Sequence, residues 1–148
     1  MRARVFPSAH DAESAFYEAL ERGDLDGMMA VWAEDEEIVC VHPGGPRLTG
    51  QEQVRESWAR LFSGGPRARV SITQQVVIDA MMLAVHSVYE HFVVEGETRG
   101  DAQPLPVVAT NVYLRSAAGW RMIVHHASPA PGQAPAPRAA PGSPKLLH

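Results

Sequence analysis

The groups in this chain best able to do chemistry are imidazoles and an amide set among apolar neighbours, within a sequence that holds seven histidines and one cysteine. His91 lies in the run YEHFVV and His126 in IVHHA. A ring buried in such a strand needs partners for its nitrogens, and the sequence offers Asn111, Tyr89 or a bound molecule. Asn111, between Thr110 and Val112, carries an amide that can orient a ligand carbonyl or fix a histidine tautomer. An imidazole titrates near neutrality, so His91 and His126, with Asn111, are the candidate catalytic groups for proton transfer. His42 follows Cys40 at strand spacing and opens a Pro-Gly-Gly loop, which makes both candidates for ligand binding at a cavity mouth. Each also has a plain structural reading, as a satisfied core histidine, a turn histidine or a structural amide.

Other chemistries find little support. His125 with His126, and His86 with His91, are separated by odd numbers of residues and point to opposite faces of a regular strand, so neither pair chelates one ion and no metal is expected. Cys40 alone excludes an intrachain disulfide and any multi-cysteine cluster, and its use as a nucleophile would rest on His42 alone. No phosphate loop, dinucleotide fingerprint or Gly-x-Ser-x-Gly elbow is present, and no cofactor is expected.

Positioning these groups falls to elements that the apolar periodicity defines. Ala12, Ala15, Phe16, Ala19 and Leu20 repeat at helical spacing between Ser8, a plausible N-cap, and Gly23. Leu25, Met28, Met29 and Trp32 form a second helical stripe after Asp24, leading into a short strand, Ile38 to Val41. Thr49 and Glu52 form a capping box for a third helix carrying Val54, Trp58, Leu61 and Phe62. From Ala68 the period becomes strand-like over 68–78, 82–95, 105–115 and 120–127. Helices followed by strands with short connections predict an α+β domain, three helices packed on one face of an antiparallel sheet. The aromatic residues Phe16, Tyr17, Trp32, Trp58, Phe62 and Trp120 suit either plain core or cavity wall.

Alternation also assigns faces. Val70, Ile72, Val76 and Ile78 mark the even side of their strand as core. A two-residue turn after Asp79 then carries that face on as Leu83, Val85, Ser87, Tyr89, His91 and Val93. Met82, Ala84, His86, Val88, Glu90 and Phe92 fall outside, as an apolar surface expected to form a homodimer. In the last hairpin, closed at Ser116 to Gly119, Ala109 faces His126 and Asn111 faces Val124. Both faces there are apolar, so alternation does not choose between them.

The 148 residues suit one domain, expected at 1–128 with a flexible Pro- and Ala-rich tail at 129–148. The net charge is −4, and Arg138 and Lys145 of the tail account for two of the 13 basic residues, so the expected domain is more acidic still. Nucleic acid is therefore not an expected partner. With no apolar run of membrane-spanning or signal-peptide length, a cytoplasmic location is expected.

The stretch VWAEDEEIVCVHPGGPRLTGQEQVRESWARLF, followed by ATNVYLRSAAGWRMIVHHASPAP, resembles the SnoaL-like branch of the NTF2-like (ketosteroid-isomerase-like) superfamily over about residues 11–131. The marks are the HPGG loop from His42, the G-x-x-x-V-x-x-S-W pattern from Gly50 to Trp58, ATNVY from Ala109, and GW…HHASP from Gly119. The resemblance implies a cone-shaped α+β fold whose interior holds a small, largely apolar molecule, and commonly a sheet-to-sheet homodimer. It favours the face of the last hairpin that holds Asn111 and His126 as the inner one, and the residues expected about the ligand are His42, Cys40, Trp32, Trp58, Tyr89 and Phe16. Enzymes of the superfamily remove a proton alpha to a carbonyl with a cavity carboxylate. No acidic residue is assigned inward here, so histidines stand in for it. The expected function is that of a cavity protein binding a small, largely apolar molecule, with isomerase, lyase or hydrolase chemistry on a carbonyl compound by its histidines left open, against a non-catalytic dimerisation or ligand-carrier module.

Overall fold

The computed structural model describes residues 4–34, 37–64, 68–94 and 106–131. All but the first three residues of the expected tail, and the loop at 95–105, lie outside them. Three helices, α1 (Ala9–Arg22), α2 (Leu25–Val31) and α3 (Gly50–Ser63), accompany six strands: β1 (Val39–Val41), β2 (Arg47–Thr49), β3 (Ala68–Asp79), β4 (Leu83–Val94), β5 (Val107–Ser116) and β6 (Gly119–Pro129).

The caps expected for α1 form. The Ser8 side chain accepts from the Asp11 N–H, and Gly23, at φ 66°, closes α1 in the left-handed conformation. Asp24 accepts from the Gly27 N–H to start α2. At α3 the capping box does not form: Thr49 makes no side-chain cap, and Gln53, one residue beyond Glu52, accepts from the Thr49 N–H at 2.9 Å.

The strands make one curved, unclosed sheet in the order β2-β1-β6-β5-β4-β3. Its neighbours are antiparallel except β1 and β6, which run parallel and put Cys40 beside His125. β2 was not foreseen; it folds back on β1 after the Pro43–Gly45 turn. The helices cover one face, and Ala12, Phe16, Met28, Val31, Trp32, Ile38, Val54 and Trp58 pack there against Ala84, Val88, Tyr113 and Met122. Trp32, with Ala33, is tied to Met122 of β6 by a bridge and an N–H···O bond of 3.0 Å. β6 continues through Pro129, and the Ala130 N–H donates to the Pro106 carbonyl, so ordered structure reaches past the expected boundary at 128.

Two bulges overturn the face assignments. In β3 the register slips between Thr73 and Val76, where Gln74 takes φ 53°. One extra residue reverses the alternation. Val70 and Ile72 pair with Phe92 and Glu90 and pack against the core, whereas Val76 and Ile78, expected inside, are 58 % and 61 % exposed. The face of β4 assigned to a dimer is therefore the inner one: Ala84, His86, Val88 and Glu90 are buried, and Leu83, Tyr89, His91 and Val93 lie on the other side. In the last hairpin the pairing runs as expected from Ser116↔Gly119 to Tyr113↔Met122. It then slips at Ile123, so that Asn111 pairs with His125 and Thr110 with His126.

The N-terminal segment pairs with β6 at the turn end of this hairpin. Phe6 bridges Gly119, and the Trp120 N–H donates to the Phe6 carbonyl at 2.9 Å. Gly119 sits at φ 96°, and a Cβ there would lie 2.9 Å from the Phe6 oxygen. Gly119→Ala is expected to lower stability by about 2 kcal/mol, read as a lower urea midpoint at unchanged slope. An unshifted midpoint would show that the Phe6 segment does not hold the hairpin.

Candidate functional site

α1 delivers two polar side chains to the buried face of the sheet. Its buried arc runs through Ala9, Ala12, Phe16 and Ala19, and Glu13 and Tyr17 stand within that arc. Small alanines on either side let the helix approach the strands closely enough for both to reach across. Glu13, 2 % exposed, accepts four hydrogen bonds. Gln75 Nε2 and His86 Nδ1 donate to Oε1, each at 2.9 Å. Tyr113 OH and Asn111 Nδ2 donate to Oε2 at 2.9 and 3.1 Å. A group that only accepts is behaving as an ionised carboxylate.

The network continues through Asn111. Its second N–H donates to the Tyr17 hydroxyl at 3.0 Å, and its Oδ1 accepts from His125 Nδ1 at 2.6 Å. Every polar atom of the amide is used, which fixes its orientation and the His125 tautomer together. Burial lowers the His125 pKa to about 3, with the charges of His42 and His126 adding to the effect. This ring is a neutral structural group.

Tyr17 directs its own hydroxyl to a second carboxylate. Its hydroxyl donates to Glu90 Oε2 at 2.6 Å. Glu90 has one such donor where Glu13 has four, and burial raises its pKa from 4.5 to about 7, the Tyr17 bond opposing the rise and the Glu13 charge adding to it. Burial, with the charge of Glu90 next, raises the Tyr17 phenol well above its ordinary value, so Tyr17 stays protonated. Tyr17, Glu13 and Gln75 line a cavity of about 460 Å³ between α1 and β3, together with His10, Val70 and Ile72. Its volume is that of a small-molecule site.

Of the candidates read from sequence, Asn111 alone joins this network. His126 is exposed, because the Ile123 bulge turns it outward and brings His125 in. His91 is half-buried on the outer face, where Nε2 lies 2.9 Å from Thr73 Oγ1; Tyr89 shares that face. His42 Nε2 is 3.1 Å from Ser57 Oγ and 3.8 Å from Cys40 Sγ, and burial lowers its pKa. Cys40 is buried and its thiol is pushed up to about 12 by burial, which leaves it inert as a nucleophile. Phe16, Trp32 and Trp58 are core; Phe16 and Trp58 meet edge to face at 5.7 Å and pack about His125.

The reading from sequence missed Glu13, His86, Glu90, Tyr113 and His125. One signal was present: at 3.6 residues per turn, position 13 falls on the stripe that holds Phe16 and Leu20. A glutamate there is either a break in the stripe or a buried group with partners.

Among solved structures, the fold matches a candidate calcium/calmodulin-dependent protein kinase type II association domain from Thiobacillus denitrificans. The two are 41 % identical with a TM-score of 0.79, over 86 % of this chain and 98 % of that one. A candidate dehydratase of the NTF2-like family from Streptomyces avermitilis is 32 % identical, TM-score 0.70, over 80 % of this chain and 91 % of that one. An NTF2-like protein of unknown function from Pseudomonas putida, 20 % identical over 80 % and 82 % of the two chains with a TM-score of 0.71, shares the fold. No functionally curated protein matches the chain. The SnoaL-like domain model matches residues 10–132, nearly the whole of the described structure, and the chain belongs to that family, within the NTF2-like superfamily.

Proposed function

We propose that the chain is a proton-transfer enzyme acting on a small carbonyl compound, with Tyr17 and Glu90 handling the proton in place of the histidines favoured by the sequence. The observation that carries this reading is a cavity-lining hydroxyl bonded at 2.6 Å to a buried carboxylate whose pKa is about 7. Two carboxylates with different surroundings can divide acid–base roles between them. Glu13, held by four donors, is the fixed charge, and Glu90 is the titrating partner. With Glu90 ionised, the substrate C–H proton passes to the Tyr17 oxygen as the Tyr17 proton passes to Glu90, and the C–H electron pair enters the enolate. With Glu90 protonated the relay runs backwards, and the phenol donates to a substrate oxygen or carbon.

The lining qualifies the expected ligand. Val70 and Ile72 offer an apolar wall, but Glu13, Glu18 and Glu21 also border the cavity. A compound with one apolar flank and hydroxyl groups suits it better than a hydrocarbon. Removal of water from a hydroxy ketone has the same first step, which fits the candidate dehydratase among the relatives.

Deuterium exchange alpha to the carbonyl, followed by proton NMR in D₂O over a panel of cyclic enones and β-hydroxy ketones, tests this. Wild-type exchange should rise with pH through about 7. Tyr17→Phe and Glu90→Gln should each lose about 100-fold or more. Equal rates in wild type and both variants would refute the relay.

Glu90 also leaves a mark on stability. Its folded pKa, about 7, lies above the ordinary 4.5, so the folded state favours the neutral acid. The stabilisation is full below pH 4.5 and is lost as pH rises to about 7, to an extent of about 3 kcal/mol. Glu90→Gln should flatten that slope in urea titrations and be the more stable protein above pH 7. A slope unchanged by the substitution would show that Glu90 is not the group responsible.

A homodimer through the outer sheet face is the second part of the proposal, with residues revised by the bulge in β3. Val76, Ile78, Met81 and Met82 are each more than half exposed around the turn end of the β3–β4 hairpin, on the edge of the sheet. Apolar area of that kind favours a covering partner, and the relative that is a candidate association domain makes a second copy the natural one. Sedimentation equilibrium should give a dimer for the wild type and a monomer for Ile78→Asp. A monomeric wild type would dispose of it.

A further inference from the structure

On the far side of Glu13 from Tyr17, His86 presents a second, separate arrangement. Its ring is fully buried in β4. Nδ1 lies 2.9 Å from Glu13 Oε1, and since that carboxylate only accepts, Nδ1 carries the hydrogen. Nε2 has no hydrogen-bond partner among the described residues. The polar atom near it, Asp79 Oδ1 at 3.7 Å, is another acceptor. A buried ring nitrogen without a partner, facing a carboxylate, is an arrangement that a cation between them would satisfy.

His10 stands at the same place from the first turn of α1. Its ring centroid is 4.9 Å from that of His86, and His10, Glu13 and His86 each bring a ligand atom within 4.8 Å of the others. His10 and Asp79 both line a pocket of about 220 Å³, bounded also by Ser8, Ala80 and Trp120. Both side chains are exposed, so rotation of each can bring it toward the roughly 3.3 Å spacing of two nitrogen or oxygen ligands on one tetrahedral zinc. Behind His86, Glu13 holds the distal ring nitrogen and is itself held by Gln75, Asn111 and Tyr113. A carboxylate that orients a histidine from behind is the usual support of a metal-bound imidazole.

We infer that His86 Nε2, His10 and the Asp79 carboxylate form a site for a divalent transition metal of the zinc class, with Glu13 as the outer carboxylate and the pocket supplying the remaining position. Two imidazoles and one carboxylate suit zinc and its neighbours rather than calcium or magnesium. No histidine spacing along the chain suggests it, because the two rings come from α1 and β4 and meet only in the fold. The site does not depend on the Tyr17–Glu90 relay.

Calorimetric titration of the untagged, chelator-treated full chain with zinc chloride tests it. One zinc per chain should bind, and the cobalt(II) form should give the visible absorption of a four- or five-coordinate ion. His10→Ala and Asp79→Asn alter exposed side chains that the fold does not need, and each should weaken binding at least tenfold. Glu90→Gln should leave binding unchanged, which separates this outcome from failure of the proton relay. Absence of saturable binding, or equal binding by wild type and both variants, would overturn the site. So would a nitrogen-15 spectrum at pH 7 with both His86 nitrogens protonated, since the missing charge would then be a proton.

Discussion

A carboxylate taken out of water must find its hydrogen-bond donors inside the protein, and the arrangement of this domain turns on how Glu13 finds them. An unpaired buried charge would cost several kcal/mol, enough to cancel most of the stability of a domain this size. Glu13 avoids that by drawing Gln75 from β3, His86 from β4, and Asn111 and Tyr113 from β5 to one point on α1. One side chain thus ties a helix to three strands. A hydrophobic contact tolerates sliding, but four directed bonds do not, so α1 has one height and one rotation over the sheet. Glu21 adds a further tie from the same helix, accepting from the Val70 N–H at 2.8 Å.

That constraint explains why two glutamates in one core behave differently. Glu13 uses all the donors that the neighbouring strands can offer. Glu90, four residues from His86 on the same face of β4, is left with the Tyr17 hydroxyl. Both are almost fully buried, at 2 % exposure each, so the contrast in hydrogen bonding rather than depth separates their roles. Fully satisfied, a buried carboxylate is scaffold; incompletely satisfied, it gains and loses a proton within the physiological range.

The parts of the fold that depend on local chemistry were legible in the sequence. Ser8 and Asp24 act through side chains that reach backbone three residues on, Gly23 through its own left-handed backbone, and they bound α1 and α2 where the residues indicate. The Ser116–Gly119 turn set the last hairpin correctly for its first four residues. The family marks gave the superfamily, and with it the α+β layers. What the sequence concealed was parity. A bulge adds a residue without leaving a mark in the hydrophobic pattern, and beyond it every inward residue becomes an outward one. Gln74 did this to β3 and so misplaced His86, Glu90 and His91; Ile123 did it to β6 and exchanged His125 for His126. Val76 and Ile78 made the error persuasive, since an apolar outer face imitates an inner one.

Glu13 was hidden for a different reason. A charged residue on an apolar stripe reads as interruption unless its donors are known, and those donors lie 62 to 100 positions away along the chain. Only the pairing of β3, β4 and β5 brings Gln75, His86, Asn111 and Tyr113 to the same height. The same register leaves His86 with one nitrogen satisfied and the other not, and leaves Glu90 beside a tyrosine that borders open space. Both unsatisfied groups are by-products of satisfying Glu13 first. A core arranged to fix one charge has its reactive edges where no donor of the neighbouring strands is aimed.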